Sequence, residues 1–247
     1  PWSLSMIIYG INPVLEAVRM GRATEVVVQT PHGDRVREIV AAAKAAGVPV
    51  RTLHADGFRR LVPTGVHQSV AARVQAAPAA TLEQLASGRD GPPLIVVLDG
   101  VEDPNNVGAI LRSVHAAGGS GVVRQTRRAA PLDGGAAKAS AGAVHHVPVA
   151  DVVNIARALE DLKALNVWTV GLDADADLHY DDVDLTLPTA LVVGAEGSGL
   201  RRLVRERCDR LASIPMRGQL GSLNVSVAAA ILLFEAVRQR YRGRPRV

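Results

Sequence analysis

From residue 94 onward the chain alternates short apolar runs with stretches of helical periodicity, and this alternation is what most constrains its fold. Residues 94–98 are apolar at every position, the pattern of a strand buried on both faces of a sheet. Val107, Ile110, Leu111 and Val114 then recur at helical spacing, and Gly118-Gly119 ends that helix. Further strands are expected over 121–123, 144–149, 167–172, 190–193 and 211–214, with helices over 152–165, 200–207 and 224–241. Strand–helix alternation of this kind implies an α/β fold, a mainly parallel sheet with helices on both faces.

A smaller α/β unit precedes it. Residues 12–20 and 35–46 read as helices, and 25–29, 48–52 and 69–74 as strands. The stretch from Gln75 to Pro93 is rich in Ala, Pro and Gly and poor in periodicity, with one helical turn near Leu82–Leu85. The expected organisation is a first domain over 1–77, a linker over 78–92 and a second domain over 93–247.

Composition removes several classes. With 247 residues, 48% of them apolar, the chain is too apolar for intrinsic disorder and large enough to be stabilised by burial alone. No apolar run approaches the roughly 20 residues of a membrane helix, and residues 1–10 lack the basic and apolar regions of a secretory leader. The single cysteine, Cys208, excludes an internal disulfide and a Cys-rich zinc site. A soluble, cytoplasmic protein is expected. Net charge is +4 and sits in the first 77 residues, which hold nine basic against five acidic side chains. Arginine supplies 25 of the 28 cations, which suits bidentate phosphate contact and modestly favours a phosphate-rich partner.

Three segments carry chemistry, each at the C-terminal end of an expected strand, where open α/β sheets place ligands. In the first, Asp103-Pro104 makes a turn, Asn105 or Asn106 can cap a helix, and Arg112 follows within a turn and a half of Asn106. The second, Val193-Gly-Ala-Glu-Gly-Ser-Gly-Leu200, spaces its glycines G-x-x-G-x-G and so does not match the dinucleotide fingerprint. Its glycines beside Glu196 suit backbone wrapped closely around a small ligand. In the third, a strand ends near Pro215 and a helix begins at Asn224, with Ser222, Asn224 and Ser226 clustered at its start. A helix cap explains one of these polar residues, Ser222 or Asn224, and leaves the others over.

Together the three segments resemble the SpoU family of RNA ribose 2′-O-methyltransferases, within the SPOUT class. Asn106, Gly108, Arg112 and Ser113 match its first motif, and Gly194, Glu196, Gly197 and Gly199 its second. Ile214, Pro215, Ser222, Leu223, Asn224, Ser226 and Val227 match the third. The first domain, with Ile8-Tyr-Gly-Ile-Asn12 and Gly65-Val-His-Gln68, resembles the L30e-like RNA-binding domain of members that act on ribosomal RNA.

The resemblance implies a trefoil knot at the C-terminal part, a homodimer formed through the knotted domains with both protomers shaping each site, and S-adenosylmethionine as cofactor. It assigns Arg112 as catalytic residue, surrounded by Asn106, Glu196, Ser222 and Asn224. Cofactor contacts fall to Gly194, Gly197, Ile214, Leu223 and Asn224. The substrate implied is a guanosine ribose in large-subunit rRNA. Alternatives are a tRNA guanosine methyltransferase, an rRNA methylase conferring antibiotic resistance, and a non-catalytic RNA-binding assembly factor.

Other residues divide between roles. Arg124, Arg127, Arg128 and Lys138 follow a strand end near the site and are candidates for RNA phosphate, as is His67 in the first domain. His145 and His146, adjacent on an expected strand, would point to opposite faces and share no metal. Asp99, Glu102 and Asp103 suffice as turn and helix-start residues. The six acids from Asp173 to Asp184 read as a solvated loop facing away from RNA. No metal is expected.

Overall fold

The computed structural model describes residues 5–63, 67–75, 78–88, 91–127, 132, 134–219 and 221–241. Contacts divide the chain into two compact units, Pro1–Pro78 with Pro131–His146, and Ala79–Ala130 with Val147–Val247. Among the described residues no helix is long and apolar enough to cross a membrane.

The first unit is built on a four-stranded sheet of order β1-β4-β2-β3, formed by β1 (Ser5–Tyr9), β2 (Ala23–Gln29), β3 (Val50–Leu53) and β4 (Val70–Gln75). β4 runs antiparallel to β1 and β2, whereas β2 and β3 are parallel. Helix α1 (Ile11–Arg19) buries Val14, Ala17 and Val18, and α2 (Asp34–Ala45) buries Val36, Ile39 and Ala43. A third helix, α3 (Ala55–Leu61), places Phe58 with Val62 over Val27 and Ala71. The sequence pattern misses β1 and also α3, whose seven residues, about two turns, carry Gly57 and too few apolar positions to show a period.

The second unit opens with α4 (Leu82–Ala86), which closes a capping box between Thr81 and Gln84. Leu85 is buried with Val123, Ile155 and Leu159, so this part of the expected linker belongs to the second core. The sheet is all parallel in the order β10-β8-β9-β5-β6-β7. Its strands are β5 (Leu94–Asp99), β6 (Gly121–Gln125), β7 (Val149–Val152), β8 (Trp168–Leu172), β9 (Thr189–Gly194) and β10 (Arg210–Ala212). β5 is buried at all six positions, as its continuous apolar run requires. Ile95, Val97, Ala190 and Val192 face a cluster shared with α4, α7 (Ile155–Ala164) and α8 (Arg202–Arg207). The alternate strand residues point to the other face. There α5 (Pro104–Ala116) and α9 (Val225–Arg240) pack against each other and against β6 and β9.

Two expectations need correction. Residues 144–149 do not form a strand: Ala143–His145 is a 3-10 turn, and β7 starts at Val149. The glycine before it, Gly142, is left-handed at φ 94°, and a side chain there would meet Glu16. In addition, Pro131–His146 groups with the first unit rather than the second. A helix missed by the sequence reading, α6 (Gly134–Ala139), packs on β1 and α1 there. Its Gly-Gly-Ala-Ala-Lys-Ala sequence has no apolar stripe to reveal it.

The arginines near the chain end also take structural roles. Arg240 donates to the carbonyls of Leu185, Leu187, Pro92 and Pro93 at 2.6–3.1 Å, fastening α9 to the segments that enter β5 and β9. Arg238 is paired with the buried Glu235. Arg242, Arg244 and Arg246 lie outside the described residues.

Candidate functional site

Each of the three chemical segments is shaped by local backbone chemistry. After β5, the Asp103 side chain accepts from the Asn105 N–H at 3.0 Å and caps α5, with Pro104 in its first turn. The cap is therefore Asp103, not Asn105 or Asn106. Asn106, released from that task, is buried.

After β9 the chain doubles back. Gly199 N–H donates to the Ala195 carbonyl at 2.9 Å, and Gly197 and Gly199 are left-handed at φ 80° and 65°. A Cβ on Gly194 would sit 2.1 Å from the Gly199 carbonyl carbon, so only glycine fits. Under this loop Asp99 is buried and accepts from the Arg201 backbone N–H at 2.8 Å and its Nε at 2.6 Å. The loop is thus closed at its far end by an ion pair to the end of β5.

The third segment ends in Asn224, the N-cap of α9. Its Oδ1 accepts from the Ser226 N–H at 2.9 Å and the Ser226 hydroxyl at 2.6 Å. Its Nδ2 donates to Asn106 Oδ1 at 2.9 Å and to Glu196 Oε1. Asn106 Nδ2 also donates to Glu196, at 3.3 Å. Residues 90 and 118 positions apart in sequence thereby meet in one polar network.

Beside it opens a cleft of about 730 Å³. Gly194, Gly197, Ile214, Leu223 and Asn224 all line it, together with Glu196 and Ser222. Apolar lining comes from Leu172, Val193, Ile214, Met216 and Leu223, and the glycine-bearing loop 194–199 supplies much of the rest. This suits a small ligand with a flat apolar part and a polar tail. The volume, the backbone cradle enforced at Gly194 and the apolar lining fit a nucleoside cofactor.

Not every expected residue gathers there. Arg112 is exposed on α5, outside the lining of the cleft, because six residues of helix turn it away from Asn106. Arg124 is largely buried and bonded to Asp151 at 2.7 Å. Arg127 is exposed, and Arg128 lies outside the described residues. Lys138 belongs to the first unit with α6. His67 takes the turn role: its Nδ1 accepts from Ser69 N–H at 3.0 Å, its ring packs on Phe58, and burial lowers its pKa.

Two further readings change. His145 and His146 lie in and just after the 3-10 turn: His146 bonds Glu16 at 3.0 Å, while His145 is buried. The acids 173–184 are not uniformly a solvated loop, since Asp173 and Asp175 line the cleft. Burial raises the Asp173 pKa, but its bonds to Arg205 and to the Asp175 N–H outweigh that and hold it below the usual range. The available signal was position: these acids directly follow an expected strand end. His179, Asp181 and Asp182 do bring ligand atoms within 4.8 Å of one another, but they are exposed and do not line the cleft.

The model of the SpoU rRNA Methylase family matches residues 93–234, more than half of the chain. The chain belongs to this family. A second model, RNA 2′-O ribose methyltransferase substrate binding, matches residues 7–80. The 23S rRNA (guanosine-2′-O-)-methyltransferase RlmB of Yersinia pestis is 42% identical over 247 residues, covering 96% of this chain and 98% of its own. The enzyme of the same name from Ralstonia nicotianae is 48% identical over 178 residues, 72% of each chain. Among solved structures, the SpoU methyltransferase AviRb from Streptomyces viridochromogenes, in complex with AdoMet, superposes with a TM-score of 0.80. It is 28% identical and covers 97% of this chain and 92% of its own. The chain is an RNA methyltransferase of the SPOUT class, with an N-terminal substrate-binding part and the parallel sheet typical of the knotted SPOUT core.

Proposed function

We propose that this SpoU-family chain transfers a methyl group from S-adenosylmethionine to the ribose 2′-hydroxyl of a guanosine in large-subunit rRNA. The observation that carries this reading is the Asn106–Glu196–Asn224 network at the edge of a cleft built from the family's second and third motifs. The cofactor supplies an activated methyl on sulfur with a neutral leaving group, so the protein's tasks are alignment and removal of one hydroxyl proton. In the transfer the O–CH₃ bond forms, the S–CH₃ bond breaks, and its electron pair stays on sulfur.

Gly194, Gly197, Ile214 and Leu223 hold the cofactor with backbone groups and apolar contact, Glu196 and Asn224 fix its polar end, and Ser222 lines the same cleft. Arg112 has no bonding partner among the described residues. Its guanidinium stays protonated and cannot act as general base. It serves by orienting the target phosphate and stabilising the developing alkoxide, while the proton passes to RNA phosphate or water.

The exposure of Arg112 fits a homodimer in which it serves the partner's site. Val227, Phe234 and Tyr241 are each about half exposed along one side of α9, an apolar stripe suited to a subunit interface. The strand order, with β9 between β8 and β5 and the chain returning through β10 to α9, suits a trefoil knot. Arg127 and Lys138 contribute RNA contacts, and His67 supports the fold of the first unit.

The test is transfer of labelled methyl from S-adenosylmethionine to unmodified large-subunit rRNA and to tRNA, with the modified ribose mapped. Label at one rRNA guanosine ribose, lost in Arg112→Ala, is expected. Label on tRNA alone would overturn the substrate. Cofactor binding without transfer to either would point to a role in assembly.

A further inference from the structure

A second cavity, of about 420 Å³, opens where β5 and β6 end. It shares no lining residue with the cofactor cleft, yet adjoins it: Gly100 on its wall lies against Ala195, and Arg201 directly follows the glycine loop. Its polar lining is mixed, with Glu102, Gln125, Arg124, Arg127 and Arg201. One of these side chains is held rigidly. Asp99, whose side chain is fully buried, takes two hydrogen bonds from Arg201, and Gln125 Oε1 accepts a third from Arg201 at 2.9 Å. The guanidinium is fixed in plane, while the Arg201 side chain as a whole stays 52% exposed. With its oxygen engaged by Arg201, Gln125 has its amide N–H groups left to donate.

The chemistry of this lining selects among RNA groups. A phosphate needs donors only, and the Glu102 carboxylate would repel it. A nucleobase needs both signs. Guanine carries acceptors O6 and N7 on one edge and the donors N1–H and N2–H₂ beside them, which a carboxylate accepts as a pair. Adenine has no such adjacent pair of donors. Unstacked RNA bases are read in this manner, by hydrogen bonds to their edges and by stacking on guanidinium planes.

We propose that this cavity recognises a guanine base of the RNA substrate. Glu102 accepts from N1–H and N2–H₂, Gln125 and Arg127 donate to O6 and N7, and the clamped Arg201 guanidinium supports the ring. The inference rests on the reading of the chain as an enzyme acting on RNA, and gives that reading a source of base preference.

The test is binding of guanosine, inosine and adenosine 5′-monophosphates to the full chain, followed by NMR. Inosine differs from guanosine only in lacking the N2 amine, and a lost charge-assisted hydrogen bond corresponds to about a tenfold weaker Kd. Guanosine monophosphate is expected to bind about tenfold tighter than inosine monophosphate, and adenosine monophosphate, which lacks both donors, more weakly still. Glu102→Gln is expected to remove that preference while leaving S-adenosylmethionine affinity unchanged, which also verifies the fold. Equal binding of the three nucleotides, tightened by Glu102→Gln and weakened by Arg127→Ala, would overturn the proposal in favour of a phosphate seat. Absence of guanosine monophosphate binding in the native chain would also overturn it. Guanine-selective binding in a chain that methylates no RNA would refute the proposed function and leave the pocket standing.

Discussion

At the scale of single residues, two glycines of one loop differ in why they are glycine. A side chain on Gly194 collides with the Gly199 and Leu200 backbone, whereas one on Gly197 meets nothing within 4 Å and suffers only from its φ of 80°. Gly197→Ala should therefore cost about 1–2 kcal/mol in stability, the price of a left-handed alanine. Gly194→Ala must displace the loop itself, and should weaken S-adenosylmethionine binding by about tenfold or more. Calorimetric titration of both variants checks the order; equal effects would mean that the loop is not held against Gly194. Arg112 makes the opposite case, a residue without structural duties. Arg112→Ala should lower kcat by about 10²- to 10³-fold, the range for loss of one donor to a developing oxyanion, with melting temperature and cofactor affinity unchanged. Arg112→Lys should not restore the rate, because an ammonium cannot form the two parallel bonds of a guanidinium. Near-full activity in the lysine variant would argue against phosphate orientation.

At the scale of elements, α9 shows a cap and a site sharing one side chain. Asn224 Oδ1 satisfies the first turn of the helix, and Nδ2 binds Asn106 and Glu196. The two duties can be separated. Asn224→Ser keeps a capping oxygen and loses the amide donor, so stability should stay within about 0.5 kcal/mol of the native chain while methyl transfer falls sharply. Asn224→Ala loses both, and should add a stability cost of about 1 kcal/mol. Urea unfolding beside a transfer assay distinguishes these outcomes. This element also marks what was legible in the sequence. Helices such as α7 are legible because packing one face on a sheet imposes a helical period, and strands such as β5 because burial on both faces demands an unbroken apolar run. Asn106, Glu196 and Asn224 were placed by motif resemblance, since their contacts span 90 to 118 residues and no local pattern encodes them. The segment around α6 and the 3-10 turn was misread because Ala and Gly carry little preference and its packing partner, α1, lies over a hundred residues away. Asp99 and Arg201 were equally hidden, as an ion pair formed only once β5 and β9 are neighbours.

At the scale of the whole molecule, the two units should respond differently to acid. In the first, burial foremost, and then repulsion from Arg22 and His146, lowers the His145 pKa from 6.5 to about 4, against a smaller opposing attraction from Glu16. The folded state thus prefers neutral His145, and its contribution to stability is complete above pH 6.5 and is lost as pH falls toward 4. Such a shift corresponds to a loss on the order of 3 kcal/mol across that window. The Nε2 of His145 is buried without a partner among the described residues, so His145→Leu should keep or raise stability at neutral pH and flatten the acid limb. In the second unit, burial pushes the Cys208 thiol up to about 12, and its Sγ lies against the Val204 carbonyl at 3.3 Å, so labelling it with dithiodipyridine reports opening of that core. Melting curves from pH 7 to 4, taken beside Cys208 labelling, should show the acid-induced loss in native chain but not in His145→Leu, with the thiol protected in both. The same preparation tests assembly, because the stripe on α9 is a separate surface. Phe234→Glu places a charge at the centre of Val227, Phe234 and Tyr241 on a residue already 48% exposed, so the monomer should fold normally. In sedimentation the native chain should run as a dimer and the variant as a monomer. If Arg112 serves the partner's site, that monomer binds S-adenosylmethionine less well or equally but transfers no methyl group. A fully active monomer would place Arg112 in its own protomer's chemistry and remove the need for a second chain.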